Sequence, residues 1–154
     1  MLALSAALHQ LAALVWVGGM FFAYLVLRPA LAELAAEARL ATWHGVFRRF
    51  FRWVTAALVV LFATGYLMIF RGWGGFGDVG LHVHLMHGLA VVMLAIFVAL
   101  VHGPWGRFRR ARADGDGAAA AAALGGIRRL VAVNLALGLV TAALGASGRW
   151  WGAS

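Results

Sequence analysis

Six histidines are the residues of this chain whose type and position could do chemistry, because its apolar segments carry few other polar groups. His9 lies within the first apolar run, and His82, His84 and His87 lie at the start of the third. Ionisable groups in apolar segments are costly and usually face a bundle interior or a cavity. Neutral imidazole is a ligand for haem iron and for copper. We therefore expect these histidines to form a cofactor or metal site.

Four long apolar runs must position these side chains. They cover about residues 2–27, 53–70, 81–102 and 130–146, and each is close to the roughly 20 residues that cross a bilayer. Of the 154 residues, 64% are apolar and only 12% are charged, whereas a soluble domain carries about 25% charged residues. The sequence predicts an all-α integral membrane four-helix bundle, with residues 1–154 in a single transmembrane domain. The first run is interpreted as a spanning helix, not a removable signal peptide.

The arginines predict the orientation of these helices. Five arginines lie in residues 28–52 and six in residues 103–129, whereas the 71–80 linker holds one. Basic residues accumulate in cytoplasmic loops, so both termini are predicted to be periplasmic in a bacterial inner membrane. This clustering between apolar segments indicates membrane orientation, and no nucleic-acid partner is predicted despite the net charge of +8.

Local signals predict the helix boundaries. Arg28-Pro29 and Gly103-Pro104 are predicted to end the first and third helices, because proline disrupts a helix interior. Residues 30–47, ALAELAAEARLATWHGVF, are compatible with an amphipathic interfacial helix between helices 1 and 2. Asn134, deep in the fourth run, is expected to make a hydrogen bond between helices.

The predicted orientation places four histidines in the same outer half of the bundle. With a rise of about 1.5 Å per residue, His9 and His87 lie roughly 10 Å from the outer boundary and His84 roughly 6 Å. Imidazoles from two helices can occupy both axial positions of a haem iron in a four-helix bundle. One hypothesis is therefore an inner-membrane haem b protein with His9 and either His84 or His87 as axial ligands.

Further residues fit the haem hypothesis. Trp16 shares a helix face with His9, and Gly88 shares one with His84 and leaves room for a flat group. Arg71 or Arg149 could pair with the propionates. Electron transfer or oxidation of a small substrate would follow, with a membrane redox partner or a quinone, and self-association into a homo-oligomer is a further option.

Copper binding is the alternative hypothesis, because Cu(I) favours imidazole and thioether ligands. The candidate metal ligands are His9, His82, His84 and His87, with thioethers from Met20, Met68, Met86 or Met93. The chain has no cysteine, which excludes thiolate sites and disulfides. A third hypothesis is a structural or assembly subunit without a cofactor, in which the histidines only make hydrogen bonds.

Enzyme activity is left open by the sequence. All five acidic residues lie in linkers, so no paired carboxylates are available within the membrane for acid–base catalysis. Such chemistry would come from the histidines, and the enzyme class compatible with the chain is a haem-dependent oxidoreductase.

Two family resemblances cover nearly the whole chain. ALHQLAALVWVGGMFFAYLVLRPAL and RRFFRWVTAALVVLFATGY resemble the first two helices of the copper-resistance D (CopD) family of inner-membrane proteins. LHVHLMHGL and IRRLVAVNLALGLVTAALGASGRW resemble the short CopD-like proteins that consist of one four-helix unit. This resemblance implies copper uptake across the inner membrane.

The same arrangement is similar to that of HemJ-type protoporphyrinogen oxidases, a resemblance that implies haem b. Those proteins have a histidine in the first helix followed by a tryptophan, and a Leu-His-x-Lys-Leu motif in the third. His9 matches the first-helix histidine, and LHVHL places His84 where the lysine stands.

Overall fold

The computed structural model describes residues 1–151, without the side chain of Arg149. Four long helices, α1 (Leu2–Glu33), α2 (Ala36–Gly72), α3 (Leu81–Ala113) and α4 (Gly117–Ser147), are each long and apolar enough to cross a membrane. A short 3-10 turn, Gly148–Trp150, follows α4. The described residues contain no β-strand. The predicted all-α fold with four membrane-spanning helices is confirmed.

Neither proline ends its helix, so the predicted ends at Arg28-Pro29 and Gly103-Pro104 are wrong. The helical chain widens into π-helical turns at Phe22–Leu27, just before Pro29, and at Val101–Trp105, which includes Pro104. Proline lacks an N–H group and its ring crowds the carbonyl four residues earlier. A wider turn relieves that crowding, as π-bulges do elsewhere, and both helices continue.

The amphipathic segment predicted between helices 1 and 2 is helical but is not a separate interfacial helix. From Ala36 onward it belongs to α2, which runs without a break to Gly72. The apolar side chains of this segment, Leu40, Trp43 and Phe47, are buried in the hydrophobic core. They pack against the other helices and not against a lipid surface, which explains why the prediction was wrong.

The α3–α4 turn also shows why α4 begins earlier than predicted. Gly115 adopts a φ of +71°, a conformation that glycine adopts without steric cost. The Asp116 carboxylate then accepts a hydrogen bond of 2.8 Å from the Ala119 N–H, a standard N-cap. The alanine-rich segment therefore forms the first turns of α4.

The bundle has two chemically different ends. The arginine end comprises residues 28–52 and 103–129, and the terminal end comprises the N-terminus, the 73–80 loop and residues 148–151. Helices of this length are roughly 45–55 Å long, whereas a hydrocarbon core is about 30 Å thick. They therefore extend beyond the membrane. The side that each end faces, and hence the periplasmic location of both termini, stays a prediction.

Aromatic side chains join α2 and α3 near the arginine end. Ring centroids are 4.7 Å apart for Trp43 and Phe47, 5.2 Å for Phe47 and Phe51, and 5.4 Å for Phe51 and Trp105. Arg112 Nη1 lies 2.5 Å from Glu37 Oε1, which links the same two helices. This aromatic cluster fills the interior there.

Glycines of α4, together with Gly148 just after it, face side chains of α3 along the antiparallel contact of the two helices. From one contacting pair to the next, the residue number rises along α3 and falls along α4 by nearly the same amount, as antiparallel helices require. Small residues allow close helix approach in membranes, where van der Waals packing supplies much of the association energy. The contacting pairs are His82 with Gly148, Met86 with Gly145, Met93 with Gly138 and Pro104 with Gly126.

We predict that Gly138→Ala destabilises the bundle by about 1–3 kcal/mol, the usual cost of overpacking a filled core. An added Cβ would lie 3.0 Å from Val17 Cγ2 and 3.1 Å from Met93 Cε. Gly125→Ala is the matched control, because the space beside Gly125 is open. Unfolding of both variants in detergent measures the difference; equal stabilities would contradict the packing described here.

Candidate functional site

His9 is anchored to α2 by one of its two ring nitrogens. Its Nδ1 lies 3.1 Å from the Leu61 carbonyl oxygen and 3.1 Å from Thr64 Oγ1. The carbonyl can only accept, so Nδ1 carries the hydrogen and donates. Thr64 donates its own hydroxyl hydrogen to the Val60 carbonyl at 2.5 Å, which leaves its oxygen free to accept from His9. In this tautomer Nε2 keeps its lone pair, as in histidines that bind metals.

His87 lies in an aromatic cluster formed by α2 and the 73–80 loop. Its ring centroid lies 5.2 Å from that of Phe76, 5.5 Å from Tyr66 and 6.4 Å from Phe62. His84 is exposed and contacts only the edge of this cluster, with its ring 6.0 Å from Phe76.

His9 and His87 contact different sides of α2. At 3.6 residues per turn, the α2 residues that contact His9 and those that contact His87 point about 120° apart. A bis-histidine haem site needs two imidazoles that face each other across a cleft. The two imidazoles do not face one another here, and this arrangement does not support the predicted haem b site.

The other residues predicted around the haem are also apart from a common site. Trp16 is buried in the hydrophobic core, on the predicted inward face of α1. Gly88 is exposed with open space beside it, and Arg71 is exposed at the end of α2. The side chain of Arg149 lies outside the described residues.

One face of α3 gathers a histidine and two methionines against α4, and we call His82, Met86 and Met93 the His–Met face. The His82 ring lies over Gly148, with its centroid 6.3 Å from that of Trp151. Met86 lies over Gly145, one turn further along α3. Met93 is almost fully buried, two turns beyond Met86. Imidazole and thioether donors therefore follow one another from the terminal end into the bundle.

The Met93 sulfur is not taken up by a strong hydrogen bond. The Thr141 hydroxyl lies 3.9 Å from Met93 Sδ, but it donates at 2.8 Å to the Leu137 carbonyl within α4. A hydroxyl has one hydrogen to donate, and the shorter contact to a carbonyl oxygen is the stronger one. The lone pairs of the thioether remain free to bind a soft cation.

Asn134 provides a buried oxygen beside Met93. Its Nδ2 donates to the Met93 carbonyl at 3.1 Å, which confirms the predicted hydrogen bond between helices. Its Oδ1 is buried and has no hydrogen-bond partner among the described residues. A buried polar atom without a partner costs about 1–3 kcal/mol, so this oxygen is available to a cation at the inner end of the His–Met face.

The sequence indicated Met86 and Met93 as thioether donors for copper but did not group them with His82. Helical spacing on α3 could have grouped them with His82, because residues four apart share a face and seven residues complete nearly two turns. Within residues 1–151, no three histidine or acidic side chains come together as a metal site. The four histidines predicted to bind a metal together, His9, His82, His84 and His87, instead contact different parts of the bundle.

We expect His9→Ala to lower the unfolding free energy by about 1–3 kcal/mol, because it removes the hydrogen bonds that join α1 to Leu61 and Thr64 of α2. His102→Ala is the control. Its Nδ1 is 2.9 Å from the Val98 carbonyl of the same helix, so its loss separates no two helices. Denaturant unfolding of both variants provides the measurement. An equal effect would show that His9 does not join α1 to α2.

Comparison with known proteins identifies the family. Residues 44–147 match the family described as Copper resistance protein D, and this part includes the His–Met face but not His9. An uncharacterized protein of Aquifex aeolicus (strain VF5) is 33% identical over 99 residues, which cover 64% of this chain and 65% of that protein, slightly under two thirds of its length. No solved structure matches. The chain belongs to the copper resistance protein D family.

Proposed function

We propose that this multi-pass membrane protein binds copper, as Cu(I), on the His–Met face and passes it toward the interior of the bundle. The observation that carries the proposal is the alignment of His82, Met86 and Met93 on the side of α3 that contacts α4. Cu(I) favours thioether and imidazole ligands over the hard oxygen ligands that suit magnesium or calcium. Membership of the copper resistance protein D family supports the same cargo.

The donors are spaced as steps into the membrane. Met86 lies about 6 Å along α3 from His82, and Met93 about 10 Å further, at about 1.5 Å per residue. An ion in hydrocarbon without ligands is strongly disfavoured, so donors at intervals of one or two turns lower the cost of entry. Asn134 Oδ1 adds a neutral oxygen at the innermost step.

The path closes beyond Met93 in this conformation. Phe97 follows one turn further along α3 and packs against Phe51, with ring centroids 5.9 Å apart. Trp105 then packs against Phe51 as well. The observed state therefore fits binding and partial entry, and release at the arginine end requires the aromatic cluster to rearrange.

Orientation decides where copper enters. We infer from the arginine distribution that the terminal end faces the periplasm of a bacterial inner membrane. His84, exposed near the same end, then adds an accessible imidazole for first capture. Uptake into the cytoplasm is the corresponding direction of transport.

Haem b is the competing proposal and is favoured by one observation, the free Nε2 of His9. It would require α1 or α3 to rotate so that His9 and His84 or His87 face each other. A membrane redox partner or quinone, and an oxidoreductase activity, belong to that proposal, and a homo-oligomer is compatible with either. Visible spectra of the oxidised and the dithionite-reduced protein, with metal analysis of the same sample, distinguish copper binding, haem b binding and the cofactor-free alternative.

We predict that Met86→Leu weakens Cu(I) binding at least about tenfold, because leucine preserves the side-chain volume but removes the sulfur. Met93→Leu should have a similar effect. Affinity is measured by competition with a chromophoric Cu(I) chelator. Met68→Leu on α2 is the matched control and should bind as the wild type does.

Two results would contradict the proposal. The first is unchanged Cu(I) affinity in the Met86→Leu, Met93→Leu double variant while His84→Ala abolishes binding, because copper would then use the exposed histidine alone. The second is a stoichiometric Soret band in protein that retains no copper, which would favour the haem b alternative.

A further inference from the structure

A shallow depression lies among α1, α2 and α4 near the arginine end, far along the bundle from His82. Tyr24 and Arg28 of α1, Trp43 of α2 and Arg128 of α4 contribute to its lining. This depression shares no residue with the His–Met face, so any ligand it takes is independent of the proposed copper function.

Arg128 is a partly buried cation without a carboxylate partner among the described residues. It is half-buried, and Arg28 and Arg39 lie close enough to repel its charge. Its Nε is buried without a hydrogen-bond partner among the described residues. Among the described residues, the salt bridge joins Arg112 to Glu37, and Arg128 has no carboxylate partner. A half-buried guanidinium normally acquires a counter-charge.

Trp43 provides a second, independent unpaired donor. Its side chain is 2% exposed, and its Nε1–H has no acceptor among the described residues. The indole N–H of a buried tryptophan usually finds a partner. Indole and guanidinium nitrogens only donate, so the group that would satisfy both Trp43 and Arg128 must be an acceptor.

Arg28 is held at the rim of the same depression. Its guanidinium carbon lies 5.0 Å from the centre of the Tyr24 ring, an attractive cation–π contact. That contact orients one guanidinium while leaving its N–H groups free to donate. Arg28, Arg128 and Trp43 thus line one depression, and none of them has an acidic partner among the described residues. Such a set of donors favours an anion.

We propose that this depression binds the phosphate of an anionic phospholipid headgroup. Guanidinium groups match phosphate oxygens with paired hydrogen bonds. The site lies where the helices leave the membrane at the arginine end of the bundle, and basic segments there attract anionic headgroups. We therefore assign the phosphate to a lipid. The bound lipid joins α1, α2 and α4, whose charges otherwise repel one another.

The test uses the full-length protein, purified in detergent and stripped of lipid, and follows its thermal unfolding midpoint as lipid is titrated. Phosphatidylglycerol should raise the midpoint, whereas diacylglycerol of the same acyl composition and inorganic phosphate should not. Arg128→Gln should weaken the apparent phosphatidylglycerol affinity about tenfold, since it removes the charge-assisted hydrogen bonds. Arg129→Gln is the matched control, because it removes an exposed charge from the adjacent position.

Without lipid, Arg128→Gln should be at least as stable as the wild type, because it relieves repulsion from Arg28 and Arg39. Trp43→Phe removes the N–H while keeping an aromatic ring, and it serves as a second variant if Arg128→Gln does not fold; it should weaken phosphatidylglycerol binding several-fold. Equal loss of affinity in Arg128→Gln and Arg129→Gln would overturn the proposal. A midpoint shift by inorganic phosphate equal to that by lipid would overturn the lipid as the ligand.

Discussion

The close antiparallel contact between α3 and α4 is the constraint on which the rest of the structure depends. It exists because α4 presents glycines where α3 presents larger side chains, and the absence of a Cβ lets the two backbones approach. The same contact that holds the helices together also aligns His82, Met86 and Met93 on a single face. The α3 residues that pack against α4 therefore include the proposed copper ligands, so replacing one of the glycines would displace a ligand.

The two ends of the bundle contribute differently to stability and to the proposed binding of copper. Near the arginine end, a stacked aromatic cluster fills the interior and a salt bridge joins α2 to α3. Toward the terminal end, α3 instead carries the imidazole and thioether groups that a soft cation prefers. A site that must accept and release a ligand is more easily built where few contacts have to break.

The sequence predicted the four spanning segments and the inward face of α1, because hydrophobic periodicity and length are strong signals in a membrane protein. It did not predict that Pro29 and Pro104 would lie inside continuous helices, because the rule that proline disrupts a helix interior does not anticipate wider π-turns that accommodate the ring. The pairing of histidines also depends on helix rotation: His9 and His87 share a depth, as their spacing indicated, but contact different sides of α2. Helical spacing could have grouped His82, Met86 and Met93, but only the structure reveals that this side of α3 packs against α4.

X-ray absorption at the copper K-edge of the Cu(I)-loaded protein identifies the ligands of the metal, because it reports which atoms surround it. If copper binds on the His–Met face, the spectrum should show a mixed shell of imidazole nitrogen and thioether sulfur, with the sulfur contribution lost in the Met86→Leu, Met93→Leu double variant. A shell of nitrogen and oxygen alone in the wild type, or a sulfur contribution that survives in the double variant, would contradict it.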